Sequence, residues 1–296
     1  MAGPADSRDV PSPADGAPLG IICGGGSLPL AVADAASGRG RRVVMFGLRG
    51  FADAAIERYP HHWVALGRLG RLFGLMRAAG CRDVVFLGAL TRPSLTQVPM
   101  DWTTIRALPL LMRSFRGGDD HLLQGVGRLF EAHGFQLRGA HEVAPEILLP
   151  AGPLGARGPT ARDIGDIDHA LALLTATGPF DVGQAVVVAD RHVLAIEAAE
   201  GTDRMLDRIA TLRQEGRIRL AVGTGVLVKA PKPRQDHRFD LPSIGPQTVE
   251  GVARAGLAGL AAVAGATIVA EPARIAQLAD QRGVFVTGVP PRGTTS

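Results

Sequence analysis

The sequence predicts an α/β protein of two domains, and three features of its 296 residues carry that prediction. Short apolar runs of the kind a parallel sheet buries alternate with longer segments of helical spacing. A glycine turn joins the first such run to the first helix, as in the opening unit of a nucleotide-binding βαβ fold. Midway, the stretch Pro150-Ala151-Gly152-Pro153-Leu154-Gly155 interrupts the pattern and marks a domain boundary. The expected division is an unstructured N-terminal tail over 1–17, a first α/β domain over 18–149 and a second over 150–290.

Composition agrees with a globular chain. Hydrophobic residues make up 46% and aromatics only 4%, so the core is built from Ala, Val and Leu rather than stacked rings. The formal charge is +4, carried mostly by scattered arginines. A basic chain binds nucleic acid, anionic membrane or phosphorylated metabolites. There is no Lys/Arg block and no basic strand bearing Phe or Tyr on which bases stack, so nucleic acid is not expected. Cys23 and Cys81 border apolar segments and read as buried reduced thiols. No apolar run approaches the length of a spanning helix, and the acid- and proline-containing N-terminus lacks a signal core; the expected location is cytoplasmic.

In chain order, Leu19 to Cys23 is a buried strand, followed by Gly24-Gly25-Gly26-Ser27-Leu28-Pro29 and a helix over Leu30 to Ala36. Glycines there either bring backbone amides to a phosphate at the helix N-terminus or make a tight structural turn. The spacing is not G-x-G-x-x-G, and the next strand, Arg42 to Phe46, lacks the terminal acid that takes a ribose hydroxyl, which argues against NAD. Gly67 to Ala79 has helical spacing, and Asp83 to Leu87 is another parallel-type strand. At its end, Gly88 and Arg92 are placed to face the same crevice as Gly24 to Gly26, with Arg92 equally an ordinary surface arginine. The apolar run Leu108 to Phe115 precedes Asp119 and Asp120, which either cap the helix His121 to His133 or hold a metal. Gln136 to Val143 reads as strand.

The second half opens with a helix over about Asp163 to Thr175. Strands Ala185 to Val188 and Val193 to Ala198, turning at Asp190-Arg191, give a hairpin signal. A helix over Arg204 to Gln214 follows, capped by Thr202 or Asp203; the alternative is that Glu197, Glu200 and Asp203 gather around a bridging cation. Gly223 to Gly245 is the most informative stretch. The strand Val226-Leu227-Val228 enters a loop holding Lys229, Lys232, Arg234, Asp236, Arg238 and Asp240. Cations that hold anionic groups beside a carboxylate that holds a metal or activates water are the requirements of phosphate chemistry. Thr248 to Ala264 is expected as a small-residue helix, then a strand over Ala266 to Val269, a helix over Pro272 to Gln281 and a strand over Val284 to Thr287. Walker A, H-E-x-x-H and G-x-S-x-G motifs are missing, and no His or Cys falls at metal-ligand spacing. Any metal is therefore expected on carboxylates and substrate phosphates, which points to Mg²⁺.

Five motifs in order, Gly24 to Pro29, Gly117-Gly118-Asp119-Asp120, Asp181-Val182-Gly183-Gln184, Glu200-Gly201-Thr202-Asp203 and Lys229 to Gly245, make the chain resemble the LpxI family over about Gly20 to Gly288. These are the UDP-2,3-diacylglucosamine pyrophosphatases of lipid A synthesis. The resemblance implies a Rossmann-like N-terminal domain and a family-specific catalytic α/β domain, with substrate between them. It implies Mg²⁺-dependent hydrolysis to UMP and 2,3-diacylglucosamine 1-phosphate, and it maps the essential aspartate onto Asp240. The chain departs from relatives at Ala89, where they often carry Asn, so only a backbone contact is expected there. Substrate-binding roles are expected for Gly24, Gly25, Gly26, Ser27, Gly88, Arg92, Gln184, Thr202, Lys229, Lys232, Gln235 and Arg238, and metal-binding roles for Asp236, Asp203 and Asp119. The alternatives are a non-catalytic nucleotide-sugar-binding regulator or another nucleotide-sugar enzyme. Leu108, Leu110, Leu111 and Met112 beside Arg113 and Arg116 either meet the lipid substrate at the inner face of the inner membrane or form a plain buried helix. A homodimer is compatible with the sequence.

Overall fold

A computed structural model describes residues 16–90, 100–115, 119–180, 182–232, 236–239 and 241–291, with the side chains of 109–115 and 119–124 excepted. Residues 1–15 of the expected tail lie outside the described residues. By packing, the chain divides into two units, Met1–Val143 and Ala144–Ser296. The division falls ahead of the Pro150 boundary because residues 144–149 pair with the second unit. Leu149 donates to the Thr267 carbonyl at 2.8 Å, and Leu148 bridges Ile268.

The first unit is built on strands β1 (Leu19–Cys23), β2 (Val43–Leu48), β3 (His61–Val64), β4 (Asp83–Leu87) and β5 (Gln136–Leu137). They form one parallel sheet in the order β3-β2-β1-β4-β5. This is the strand order of the dinucleotide-binding doubly wound fold, with the order reversing at the ends of β1 and β4. Every residue of β1 is buried, as expected of a central parallel strand. The helices are α1 (Leu28–Gly38), α2 (Leu69–Ala78), α3 (Trp102–Phe115), α4 (Asp119–Ala132) and α5 (Ala140–Val143). The strand expected over 136–143 is thus correct only for its first two residues. β5 is an edge strand paired only at Gln136 and Leu137, and Glu142 then accepts the Gly139 amide at 2.9 Å and closes the turn of α5.

The second unit carries β6 (Gly152–Pro153), α6 (Ala161–Thr177), β7 (Ala185–Ala189), β8 (His192–Ile196), α7 (Gly201–Gln214), β9 (Val226–Lys229), β10 (Ser243–Ile244), α8 (Pro246–Arg254), β11 (Gly259–Val263), β12 (Ile268–Val269), α9 (Pro272–Arg282) and β13 (Phe285–Val289). Six strands form a mixed sheet in the order β6-β13-β11-β9-β7-β8, and β10 pairs with β12 apart from it. Alternate residues of the central strands face opposite layers. Val187, Leu227 and Leu260 pack under α7, α8 and α9 through Met205, Leu206, Val249, Val252 and Ile275. Val186, Val188, Val226, Val228 and Ala261 face Ile167, Ala170, Leu171 and Leu174 of α6.

The hairpin expected at 185–198 is present, with Asp190 and Arg191 at φ 52° and 61°. Asp166 of α6 fixes this left-handed turn by accepting both amides, at 3.1 and 2.7 Å. The single helix expected over 248–264 is instead α8 followed by β11. A fully buried run of Ala, Gly, Leu and Val has no polar face, so its period cannot separate helix from central strand. Pairing with β9 and β13 decides it.

Candidate functional site

Lys229 is the last residue of β9, not part of the loop beyond it, and stands in the middle of the sheet between Ala185 and Ala262. It is 7% exposed. An ammonium so placed needs hydrogen-bond partners to offset its lost hydration. Lys229 Nζ donates to Thr202 Oγ1 and to the Ser243 carbonyl, each at 3.0 Å. The Thr202 hydroxyl in turn donates to Glu197 Oε1 at 2.8 Å, and Glu197 Oε2 accepts the Gln184 amide at 2.9 Å. One polar chain therefore ties together the end of β8, the first turn of α7, the end of β9 and β10.

Gly183 makes this chain sterically feasible. Its amide donates to the Glu197 carbonyl at 3.1 Å. A Cβ there would sit 2.5 Å from that carbonyl oxygen and 2.7 Å from the Glu197 Cβ. The glycine of the Asp181-Val182-Gly183-Gln184 motif is needed for this close approach.

Around these groups lies a pocket of about 250 Å³, lined by Gly183, Gln184, Glu197, Lys229, Lys232, Leu241, Pro242 and Ser243. Its two lysines outnumber its one carboxylate, so it favours anions. Its volume suits a phosphate-bearing part of a ligand rather than a whole nucleotide. It opens outside the carboxyl ends of β8 and β9, the position where α/β sheets bind ligands.

Of the residues expected from sequence, Gln184, Thr202, Lys229 and Lys232 meet here. Thr202 was also a candidate helix cap, and so was Asp203. α7 begins at Gly201 with Glu200 at its cap position and no side-chain cap, so Thr202 and Asp203 lie inside the first turn, where the Thr202 hydroxyl donates to Glu197. Asp203 is exposed in that first turn. Asp236 and Arg238 engage each other. Arg238 Nη2 reaches Asp236 Oδ2 at 2.8 Å, and Nε reaches Oδ1 at 3.0 Å. This guanidinium holds the Asp236 carboxyl below its usual range, against the opposing effect of burial. Asp240 and Gln235 lie outside the described residues, as do Arg234 and Asp181.

The glycine turn of the first unit does a specific structural job. Gly24 donates to the Leu87 carbonyl at 2.7 Å, and Gly25 and Ala89 exchange two hydrogen bonds of 2.9 Å. A Cβ at Gly24 would sit 2.6 Å from the Ala89 oxygen, and one at Gly88 would sit 2.6 Å from the Gly25 oxygen. Gly88, at φ +93°, and Gly24 thus bring the β1 and β4 loops into backbone contact at the switch point. The amides of Gly24 and Gly25 are committed to that contact. Gly26 and Ser27, leading into α1, are the part of the turn left to approach a ligand. The Ala89 amide and carbonyl are both engaged in this pairing with Gly25. Arg92 lies outside the described residues.

No group of three or more His, Cys, Asp or Glu side chains suited to a metal forms among the described residues. The Glu197 oxygens accept protein hydrogen bonds, Asp236 is paired with Arg238, and the Asp119 side chain is outside the described set. The described carboxylates alone do not make a Mg²⁺ site. Among the described residues, no helix is long and apolar enough to cross a membrane.

Sequence reasoning flagged Glu197 only as one of several acids, whereas the structure makes it the hub of the pocket. The available signal was its position at the end of a hairpin strand, opposite a glycine. The Ser243 carbonyl carries no side-chain signal at all.

Comparison with known proteins adds two findings. Residues 18–147 match the family model described as the LpxI N-terminal domain, and residues 150–287 match the LpxI C-terminal domain. A protein of Caulobacter vibrioides named UDP-2,3-diacylglucosamine pyrophosphatase LpxI is 44% identical over 274 residues, covering 93% of this chain and 98% of that protein.

Proposed function

The chain belongs to the LpxI family, and from that premise we propose that it is a hydrolase cleaving the diphosphate of UDP-2,3-diacylglucosamine in lipid A synthesis. The products are UMP and 2,3-diacylglucosamine 1-phosphate. The observation that carries the reading is the buried Lys229 ammonium in a small cation-rich pocket at the carboxyl ends of β8 and β9. Negative charge shields a diphosphate from water, so catalysis consists largely of neutralising charge and positioning the reactants.

In this reading Lys229 and Lys232 neutralise the phosphates as charge shifts toward the leaving group. The chain through Thr202, Glu197 and Gln184 holds Lys229 in place, so it does not reorganise during reaction. Asp240 orients the attacking water. Gly26 and Ser27 approach the nucleotide or sugar. Mg²⁺ belongs to the proposal as companion of the diphosphate, with Asp240, Asp236, Asp203 and Asp119 the carboxylates offered to it.

Incubation with UDP-2,3-diacylglucosamine in ¹⁸O-water, with and without Mg²⁺, tests the reading. Release of UMP supports it, and the label identifies the phosphorus that water attacks. Release of UDP favours another nucleotide-sugar enzyme, and binding without product favours a regulator. Turnover unaffected by chelation removes Mg²⁺ from the proposal.

A further inference from the structure

Of the 32 lysines and arginines in this sequence only two are lysines, Lys229 and Lys232, and both line the pocket at the ends of β8 and β9. Elsewhere the chain uses arginine, as in the surface pairs Arg58–Asp34, Arg162–Asp190 and Arg282–Glu250. The two residue types differ in chemistry. A guanidinium stays protonated, whereas an amine can give up its proton and attack an acyl carbon, which makes lysine the residue that acetylation reaches. Within the pocket the two lysines are placed differently. Lys229 is 7% exposed and donates to Thr202 Oγ1 and to the Ser243 carbonyl, so its nitrogen is held as an ammonium that presents protons rather than a lone pair. Lys232, three residues on, is half-buried and lines the same cavity of about 250 Å³.

We propose that Lys232 is an acylation site for small acyl phosphates, acetyl phosphate being the simplest, and that this modification switches the pocket off. A phosphate held against Lys229 in so small a cavity brings its acyl carbon to the neighbouring amine, which turns a slow bimolecular reaction into a local one. The neutral amine nitrogen of Lys232 bonds to the acyl carbon and the C–O bond to phosphate breaks. Inorganic phosphate leaves with that electron pair, and the amine proton passes to it. The product is an uncharged amide. Before the reaction two lysines share the pocket with Glu197; afterwards one cation remains beside one carboxylate, and the attraction for a diphosphate is lost. The modification site stands on the pocket itself, while the loss of turnover rests on the hydrolytic reading.

Incubation of the full chain with acetyl phosphate, followed by peptide mass mapping, tests the proposal. One acetyl group is expected at Lys232, formed faster than at the same lysine in the urea-unfolded chain and slowed by inorganic phosphate competing for the pocket. Acetic anhydride, which carries no phosphate, should react without that protection. UMP release should fall in proportion to the acetylated fraction. Lys232→Gln should imitate the loss, whereas Lys232→Arg keeps the charge, takes up no acetyl group and should retain more of the turnover. Acetylation no faster than in the unfolded chain, indifferent to phosphate, or directed to Lys229 instead overturns the proposal. So does an acetylated protein with full turnover. Acetylation of a protein whose unmodified form releases no UMP upholds the site and overturns the hydrolytic reading alone.

Discussion

Replacing Lys229 by methionine removes one ammonium while nearly preserving side-chain length, which isolates the charge. Two hydrogen bonds of 3.0 Å from a 7%-exposed donor are lost. Each contributes about 1.5–3 kcal/mol when a charged group is involved. The desolvation cost of the buried ammonium disappears with it, so the net loss of stability is about 1–3 kcal/mol. The effect on turnover should be larger. Removing one preorganised group that meets developing charge costs about 3 kcal/mol, or on the order of a hundredfold in kcat. The assay is kcat and KM from UMP release, beside a thermal melt confirming that the variant folds. A fall in kcat and kcat/KM together marks an interaction made in the transition state, whereas a rise in KM alone marks ground-state binding. A folded variant with kcat within about threefold of wild type would refute the role given to Lys229.

Three further outcomes follow from the same geometry. Gly183→Ala should push Glu197 off Thr202 and Gln184, costing about 1–3 kcal/mol of stability and lowering activity; calorimetry with kinetics checks it, and a neutral variant would contradict the close approach. Asp236 is depressed by Arg238, so its contribution to stability is full above the unfolded value of about 3.9 and fades as pH falls through the folded pKa. Urea melts of wild type and Asp236→Asn should therefore differ at neutral pH and converge only once the pH has fallen below the usual aspartate range; a constant difference would count against the pair. Burial pushes the Cys23 thiol up to about 12 and the Cys81 thiol up to about 11. Neither should react with a thiol-exchange reagent at mildly alkaline pH until the protein is unfolded, and prompt modification of the native protein would show that the sites open.

What the sequence made legible follows from where the physics is local. The apolar runs at Leu19–Cys23, Asp83–Leu87 and Ala185–Ala189 declare themselves as strands because parallel or central strands are buried on both faces. That same uniformity hid β11, since Gly259–Val263 carries no polar face to set its period. The lysines of the pocket were visible as chemistry, but their arrangement was not. Lys229 meets Thr202 and the Ser243 carbonyl only after β9 is placed between β7 and β11. The metal expectation drew on Asp236 because it stood beside Asp240 in sequence; in the fold Asp236 faces Arg238, a partner two residues away that the sequence also offered. The glycine turn at 24–26 suggested a phosphate cradle by type, yet Gly24 and Gly25 serve contact with a loop more than sixty residues further along the chain, at Gly88 and Ala89. Long-range backbone pairing of that kind leaves only the glycines themselves as its trace.

The most direct test is the ³¹P spectrum of UDP-2,3-diacylglucosamine before and after addition of the protein with Mg²⁺. The two coupled diphosphate resonances should give way to two phosphate monoester resonances, those of UMP and 2,3-diacylglucosamine 1-phosphate. An unchanged diphosphate, or the appearance of UDP, would contradict hydrolysis at this site.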